Sequence, residues 1–347
     1  MASSVCINQW SNALNGFATL IDTALEISVV GSFSRIGPAI RRRLYGWSSP
    51  PADALAGRTV LVTGPTSGLG LATARALAAI GARVVLLGRD QTRLTRLSDE
   101  LAAAHGEPRF PVVVADMGSL TSVRTAVERI IATEPRLDVV VDNAGAIFPE
   151  RFEGPDGIEA TFALLVIGPF ALTAGLLPLL SKTDGSRVIA ITSGGMYAGR
   201  LDLDDLESHG PAYTGAAAYA RAKRAQVALM REWSRRLAGS GVSVTAMHPG
   251  WADTPGLSAS LPGFYRVMRP LLRTPEDGID TIVWLAAQAD PRSTSGRLYL
   301  DRRPRPFDRV PATRVAAAER RHLWEIVVGM SGGPDPAPGA RQAARPA

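Results

Sequence analysis

From Gly57 onward the chain alternates between two rhythms of apolar and polar positions. Short unbroken runs of Val, Leu, Ile and Thr are separated by longer stretches whose apolar residues fall three and four apart. The runs read as strands buried on both faces and the stretches as helices. Thr59–Thr63, Arg83–Leu87, Pro111–Ala115, Leu137–Val141, Arg187–Ile191 and Val242–Met247 are the predicted strands. Leu71–Ile80, Leu120–Ala132, a long apolar stretch ending at Leu180 and the stretch around Tyr219 are predicted helices. Strand and helix in turn predict an α/β fold, a doubly wound and mostly parallel sheet with helices on both faces, in one main domain.

The flanks read differently. Residues 1–56 are predicted as a helical extension, because Phe17, Leu20, Ile21, Ala24, Leu25 and Val29 recur at helical spacing. Asp22 and Glu26 interrupt that stretch, which is too polar and too short to span a bilayer. No charged start followed by an apolar core and a small-residue cleavage site is visible, so no signal peptide is expected. Packing of the apolar face on the main domain is expected, with a peripheral membrane contact as the second reading. Trp251–Pro270 sets Leu257, Leu261, Phe264, Tyr265 and Met268 among prolines and glycines, as a mobile apolar segment or simple core packing. Residues 311–330 are a predicted C-terminal helix, and 331–347, rich in Gly, Pro, Ala and Arg, a disordered tail.

Composition narrows the function classes. The net charge of +6 comes from 38 basic against 32 acidic residues, and much of the surplus is clustered. Arg41, Arg42 and Arg43 form one cluster, and Arg302, Arg303, Arg305 and Arg309 another. Neither is interleaved with aromatics in a nucleic-acid pattern, so they read as solvated faces and no nucleic-acid partner is expected. One cysteine, Cys6, excludes an internal disulfide, and with four histidines no metal-ligand spacing arises. A cytoplasmic setting is expected, and a homo-oligomer is left open.

Three stretches carry candidate chemistry. The first strand runs into Gly64-Pro65-Thr66-Ser67-Gly68-Leu69-Gly70 and then a helix. Glycines let the backbone bend and approach a ligand, and the helix start offers N–H groups to a pyrophosphate. The spacing G-x-x-x-G-x-G differs from G-x-G-x-x-G, and a plain tight turn is the alternative. The second strand ends in Gly88-Arg89-Asp90, with no acid at its tip to hold a ribose hydroxyl. Arg89 there favours NADP(H) over NAD(H), and Asp90 suits a helix cap. Tyr219 and Lys223 stand four apart, which on a helix stacks a phenol over an ammonium. A neighbouring cation favours the phenolate, as acid–base chemistry on an alcohol or ketone needs, although such pairs also arise by chance.

In this order and spacing, Thr63–Gly70, Asn143-Ala144-Gly145, Ser193, Tyr219-x-x-x-Lys223 and Pro249-Gly250 resemble the short-chain dehydrogenase/reductase family over about residues 57–310. The gap between Ser193 and Tyr219 is similar to that of its retinol-dehydrogenase branch. The resemblance implies a Rossmann-type domain and an oxidoreductase interconverting an alcohol and a ketone or aldehyde, with a small lipophilic substrate. It implies that Tyr219 exchanges the proton, that Lys223 lowers its pKa and binds the nicotinamide ribose, and that Ser193 holds the substrate oxygen. Thr192 is the lesser candidate for that last role. It also implies that Gly64, Thr66, Ser67, Leu69 and Gly70 cradle the pyrophosphate, and that Arg89 meets a 2′-phosphate. Asp116 and Met117 would hold adenine, Asn143, Ala144 and Gly145 the floor beneath the cofactor, and Pro249, Gly250 and Thr254 the nicotinamide end. One departure stands out: Leu165 occupies the position of a family Asn that serves proton relay, with Pro169 one turn on. It favours a rival reading, a nucleotide-binding regulatory or scaffold protein without turnover.

Overall fold

A computed structural model describes residues 16–106 and 110–337. Three helices lead in: α1 over 16–27, α2 (Val29–Phe33) and α3 (Ile36–Tyr45). The alternating part follows as β1 (Thr59–Thr63), α4 (Gly68–Ala79), β2 (Arg83–Gly88), α5 (Gln91–His105), β3 (Val112–Val114), α6 (Leu120–Thr133) and β4 (Val139–Asp142). Next come α7 (Ala160–Phe162), a π turn over Ala163–Ile167, α8 (Gly168–Ser181), β5 (Arg187–Ile191), α9 (Gly215–Arg236) and β6 (Ser243–Met247). The chain ends with α10 (Pro255–Ser260), α11 (Pro262–Met268), α12 (Pro275–Ala286), β7 (Leu298–Leu300), β8 (Arg303–Arg305) and α13 (Ala317–Ser331).

The eight strands form one sheet in the order β3-β2-β1-β4-β5-β6-β7-β8, parallel except for β8. Successive side chains of a strand point to opposite faces, and both faces here are apolar. Val60, Val62, Val84 and Leu86 join α4, α5 and α12 in one core cluster. Leu61, Val85 and Leu87 join α6, α8, α9 and α13 in the other. That two-sided burial is why the strands read as unbroken apolar runs. The order reverses at β1, whose neighbours are β2 and β4, so a crevice opens at the C-terminal ends of β1 and β4.

Three expectations need correction. The first helix docks through its polar face: Asp22 and Glu26 meet Arg41 and Arg305, and Glu26 also meets Arg309. Its apolar stripe faces outward, with Phe17 61% and Leu20 70% exposed. The arginine clusters are accordingly solvated only in part: Arg42 and Arg43 are exposed, whereas Arg41 and Arg305 are buried. Arg41 is fully buried, joined to Asp22 and Asp301 at 2.6 Å each, and Arg273 holds Asp301 from the other side at 2.6 Å. The tail is packed at its start: Asp335 accepts from Trp324 Nε1 and pairs with Arg236, and Ala337 is buried. Residues 338–347, like Cys6, lie outside the described residues.

The apolar stretch ending at Leu180 is the one helical span long and apolar enough to cross a membrane among the described residues, and it is mostly buried in the core. It is not uniform. The Gly168 N–H reaches back five residues to the Ala163 carbonyl, a π turn just ahead of Pro169, which has no N–H to give.

Candidate active site

The glycine turn is built by close approach. Gly64 takes φ +65°, and its N–H bonds the Leu87 carbonyl at 2.8 Å. A Cβ on Gly70 would lie 2.1 Å from the Gly64 carbonyl oxygen and 2.5 Å from Asn143 Nδ2, so α4 can start here with glycine alone. The Ser67 side chain, directly before α4, caps none of its N–H groups, which leaves first-turn donors for an anion. Asn143 Nδ2 donates to the Thr63 carbonyl at 2.9 Å, and the Asn143 and Ala144 N–H groups both donate to Thr63 Oγ1 at 2.9 Å. These bonds tie the ends of β1 and β4 together beneath the crevice. Thr66 accepts from Arg93 at 3.0 Å, and Leu69 turns its side chain toward Gly278 in α12.

Across the crevice, Ser193 follows β5 and Tyr219 rises from α9. Burial raises the Tyr219 phenol above its ordinary 10.0, and the nearby Ser193 hydroxyl pulls it back. Lys223 Nζ is 5.7 Å from the centre of the Tyr219 ring and donates to the Ile191 carbonyl at 2.7 Å and Gln226 Oε1 at 3.2 Å. Gln226 Nε2 in turn donates to Asp142 Oδ2 at 3.2 Å. Thr192 spends its hydroxyl on the Lys223 carbonyl, at 3.2 Å, which leaves Ser193 as the serine or threonine oxygen at Tyr219. A Cβ on Gly145 would lie 3.1 Å from Leu165 Cδ2 and 4.0 Å from Lys223 Nζ, so Leu165 puts hydrocarbon where the family pattern has an amide.

The other expected residues gather less tightly. Thr254 caps α10 and packs against Gly68, 3.4 Å from where its Cβ would be, which brings the β6 loop onto the glycine turn. Gly250, at φ +71°, leaves no room for a Cβ beside Arg273 and the Phe33 carbonyl. Pro249 packs toward Gly278. Asp116 is exposed and caps Gly118 at 2.8 Å, whereas the Met117 side chain is buried in the core. Arg89 is exposed just past β2, with no hydrogen bond among the described residues. His248 is buried, and burial holds its pKa down to about 3, so it stays neutral.

Phe33 escaped the sequence reading. A Cβ on Gly194 would lie 2.4 Å from its ring, which also meets His248 at 4.7 Å and Trp251 at 5.7 Å. The Phe33 carbonyl accepts from the Trp251 N–H at 2.8 Å. The N-terminal extension therefore braces the loops after β5 and β6, and no local pattern could have announced contacts across 160 positions or more. Phe264 stacks edge-on against Trp251 at 5.3 Å, and α10 and α11 bury no residue. Phe264→Ala should therefore weaken substrate binding while melting within a degree or two of the parent. A core aromatic would cost about 3–5 kcal/mol instead, and such a loss with unchanged KM would mark plain packing.

The sheet order and the glycine turn at the switch point define a nucleotide-binding protein of the α/β class. The chain belongs to the short-chain dehydrogenase/reductase family: the short chain dehydrogenase family profile matches residues 58–262. Dehydrogenase/reductase SDR family member 12 of Bos taurus is 38% identical over 274 residues, 78% of this chain and 85% of that protein. Retinol dehydrogenase 14 of Mus musculus is 34% identical over 294 residues, 80% of this chain and 86% of its own length. Among solved structures, a Shigella flexneri 2a protein assigned as a short chain dehydrogenase, complexed with NADP, superposes with TM-score 0.60 at 26% identity. It covers 73% of this chain and all of its own. An alcohol or carbonyl oxidoreductase using a nicotinamide cofactor follows from membership.

Proposed function

We propose that this chain is an NADP(H)-dependent enzyme interconverting an alcohol and a ketone or aldehyde on a small lipophilic substrate. The observation that carries the reading is the Ser193 hydroxyl at the Tyr219 phenol, with Lys223 buried beside that ring and next to Gly145. The residues present suit a dinucleotide: a glycine turn too tight for any side chain at Gly70 leads into the uncapped start of α4, whose N–H groups are what a pyrophosphate needs. Gly64, Thr66, Ser67, Leu69 and Gly70 would hold it, with Asp116 and Met117 toward adenine. Asn143, Ala144, Gly145, Pro249, Gly250 and Thr254 would line the remainder. A bound nicotinamide supplies or takes the hydride.

The chain's own residues manage the proton. Tyr219 gives it to the forming alkoxide in reduction and takes it in oxidation, and Ser193 orients the same oxygen. Lys223 would hold the ribose and supply positive charge beside the phenol. The apolar residues over the crevice, Trp251 and Phe264 among them, suit a lipophilic substrate and exclude water. Retinol dehydrogenase 14 among the relatives supports that substrate class.

Arg89 carries the preference for NADP(H), because a guanidinium meets a phosphate through two parallel hydrogen bonds. The NADP complex of the Shigella protein supports it. Arg89→Ala should weaken NADPH binding by about tenfold or more while NADH binding barely changes, as fluorescence titration would read. Equal losses would remove the assignment. The overall test is a screen of NADPH oxidation over ketones, retinoids, steroids and long-chain aldehydes. Leu165 beside Lys223 favours one other reading, a regulator that binds nucleotide without turnover. Tight NADPH binding with no turnover anywhere in the screen would select it.

A further inference from the structure

We propose that Asp142 is the counter-ion of Lys223, joined to it through Gln226, and that it acts as a positioning residue keeping the lysine charged inside the site. The inference rests on the catalytic role given to Lys223 above, but its test does not require turnover.

Lys223 is 2% exposed, and both acceptors of its Nζ are neutral, the Ile191 carbonyl and Gln226 Oε1. A buried ammonium without an anion nearby is costly and tends to lose its proton. The anion is Asp142, at the end of β4 and itself 5% exposed. Gln226 spans the two, accepting from Nζ at 3.2 Å and donating to Asp142 Oδ2 at 3.2 Å. The amide can sit in one orientation alone, since an ammonium has no acceptor and a carboxylate no donor. Its dipole therefore runs from cation to anion, and each charge favours the bond at the other end.

The surroundings make this pairing matter. Asp142 and Gln226 line a cavity of about 30 Å³ whose other walls include Leu165, Val166 and Pro169. Little but hydrocarbon screens the carboxylate on that side, so attraction across the bridge is strong. The other groups facing the pair are the Thr63 hydroxyl of β1, the Ile191 carbonyl of β5 and the Tyr219 phenol of α9. Burial lowers Lys223 to about 8 and Asp142 restores part of the loss. Burial raises Asp142 to about 6, and Lys223, Gln226 and Thr63 oppose that rise. Both groups are thus charged from about pH 6 to about pH 8, which brackets neutrality.

Composition adds an independent hint. The chain has 36 arginines and two lysines, Lys182 and Lys223. A guanidinium at 223 would stay charged whatever its neighbours, whereas an ammonium responds to them. A lysine kept against that bias fits a cation whose charge is set by its partner.

Two lysines also make the test clean. Protein labelled with ¹³C-lysine gives two side-chain signals, and exposed Lys182 serves as the internal reference. In the parent protein, Lys223 should titrate near pH 8. In Asp142→Asn the Lys223 midpoint should fall by about one pH unit or more, with Lys182 unmoved. Gln226→Leu, which cuts the bridge but keeps both charges, should shift Lys223 the same way by less, and it carries the test should Asp142→Asn not fold. An unchanged Lys223 midpoint in the folded variants, or a parent Lys223 midpoint well above pH 8, overturns the inference. The expected shifts in a protein that turns over nothing would retain the counter-ion and refute the enzyme reading instead.

Discussion

Tyr219→Phe should lower turnover about 10²- to 10⁴-fold, the range that one positioned proton donor supplies, while NADPH binds as in the parent. The substitution removes one oxygen and keeps the ring, so packing beside Lys223, 5.7 Å from the ring centre, is preserved. What disappears is the proton for the substrate oxygen and the group that the Ser193 hydroxyl faces. Ser193→Ala should cost less, since it removes an orienting bond and leaves the acid in place. Single-turnover rates with NADPH in excess, beside a fluorescence titration of NADPH, separate chemistry from binding. If Tyr219→Phe turns over at the parental rate, the phenol is not the acid. If it loses NADPH affinity in proportion to rate, the residue shapes the cofactor site rather than the chemistry.

The Tyr219 signal is legible in the sequence because it is local. One turn of helix sets the spacing of Tyr219 and Lys223, and Gly64 to Gly70 form a turn within a single loop. The strands were legible for a related reason. β1, β2, β4, β5 and β6 are nearly unbroken apolar runs because each is covered by helices on both faces. β7 and β8 escaped because they are three residues each, joined through Asp301 and Arg302 at φ +54° and +55°, with no glycine to mark the turn. Asp142 did leave a trace, a carboxylate closing a run of three valines, yet its meaning depends on Gln226, which lies 84 positions away.

In the extension, periodicity alone points to the wrong docking face. Helical spacing showed the apolar stripe of α1 correctly, and burial of that stripe was the reasonable inference from periodicity alone. The energetics lie on the opposite face, where Asp22 and Glu26 find Arg41 on α3 and Arg305 on β8. A run such as Arg41-Arg42-Arg43 gives no hint of which member is buried. Tertiary structure decides that, and the three side chains end in unlike places.

Their difference yields the second large effect. Arg41→Ala should lower stability by about 3–5 kcal/mol, the cost of removing one member of a buried ionic group and leaving its partners uncompensated. Arg41 is fully buried, and it reaches Asp22 and Asp301 at 2.6 Å, Glu26 at 2.9 Å and Ser32 Oγ at 3.0 Å. Arg273 and Arg305 remain to share the carboxylates, which keeps the loss from growing further. Arg42→Ala, one residue on, removes a half-exposed partner of Asp277 and should cost less than about 1 kcal/mol. The Arg41 loss should also reach the active site. Phe33 sits between this ionic group and Gly194, so loosening the extension frees the loop that presents Ser193. Thermal unfolding of the two variants side by side, with turnover measured well below both transitions, reads both effects. Arg41→Ala should melt several degrees below Arg42→Ala and turn over more slowly at a temperature where it is fully folded. Equal melting temperatures would show that the buried ions contribute nothing net, and an unaffected rate would mean that Phe33 braces a loop the chemistry does not need.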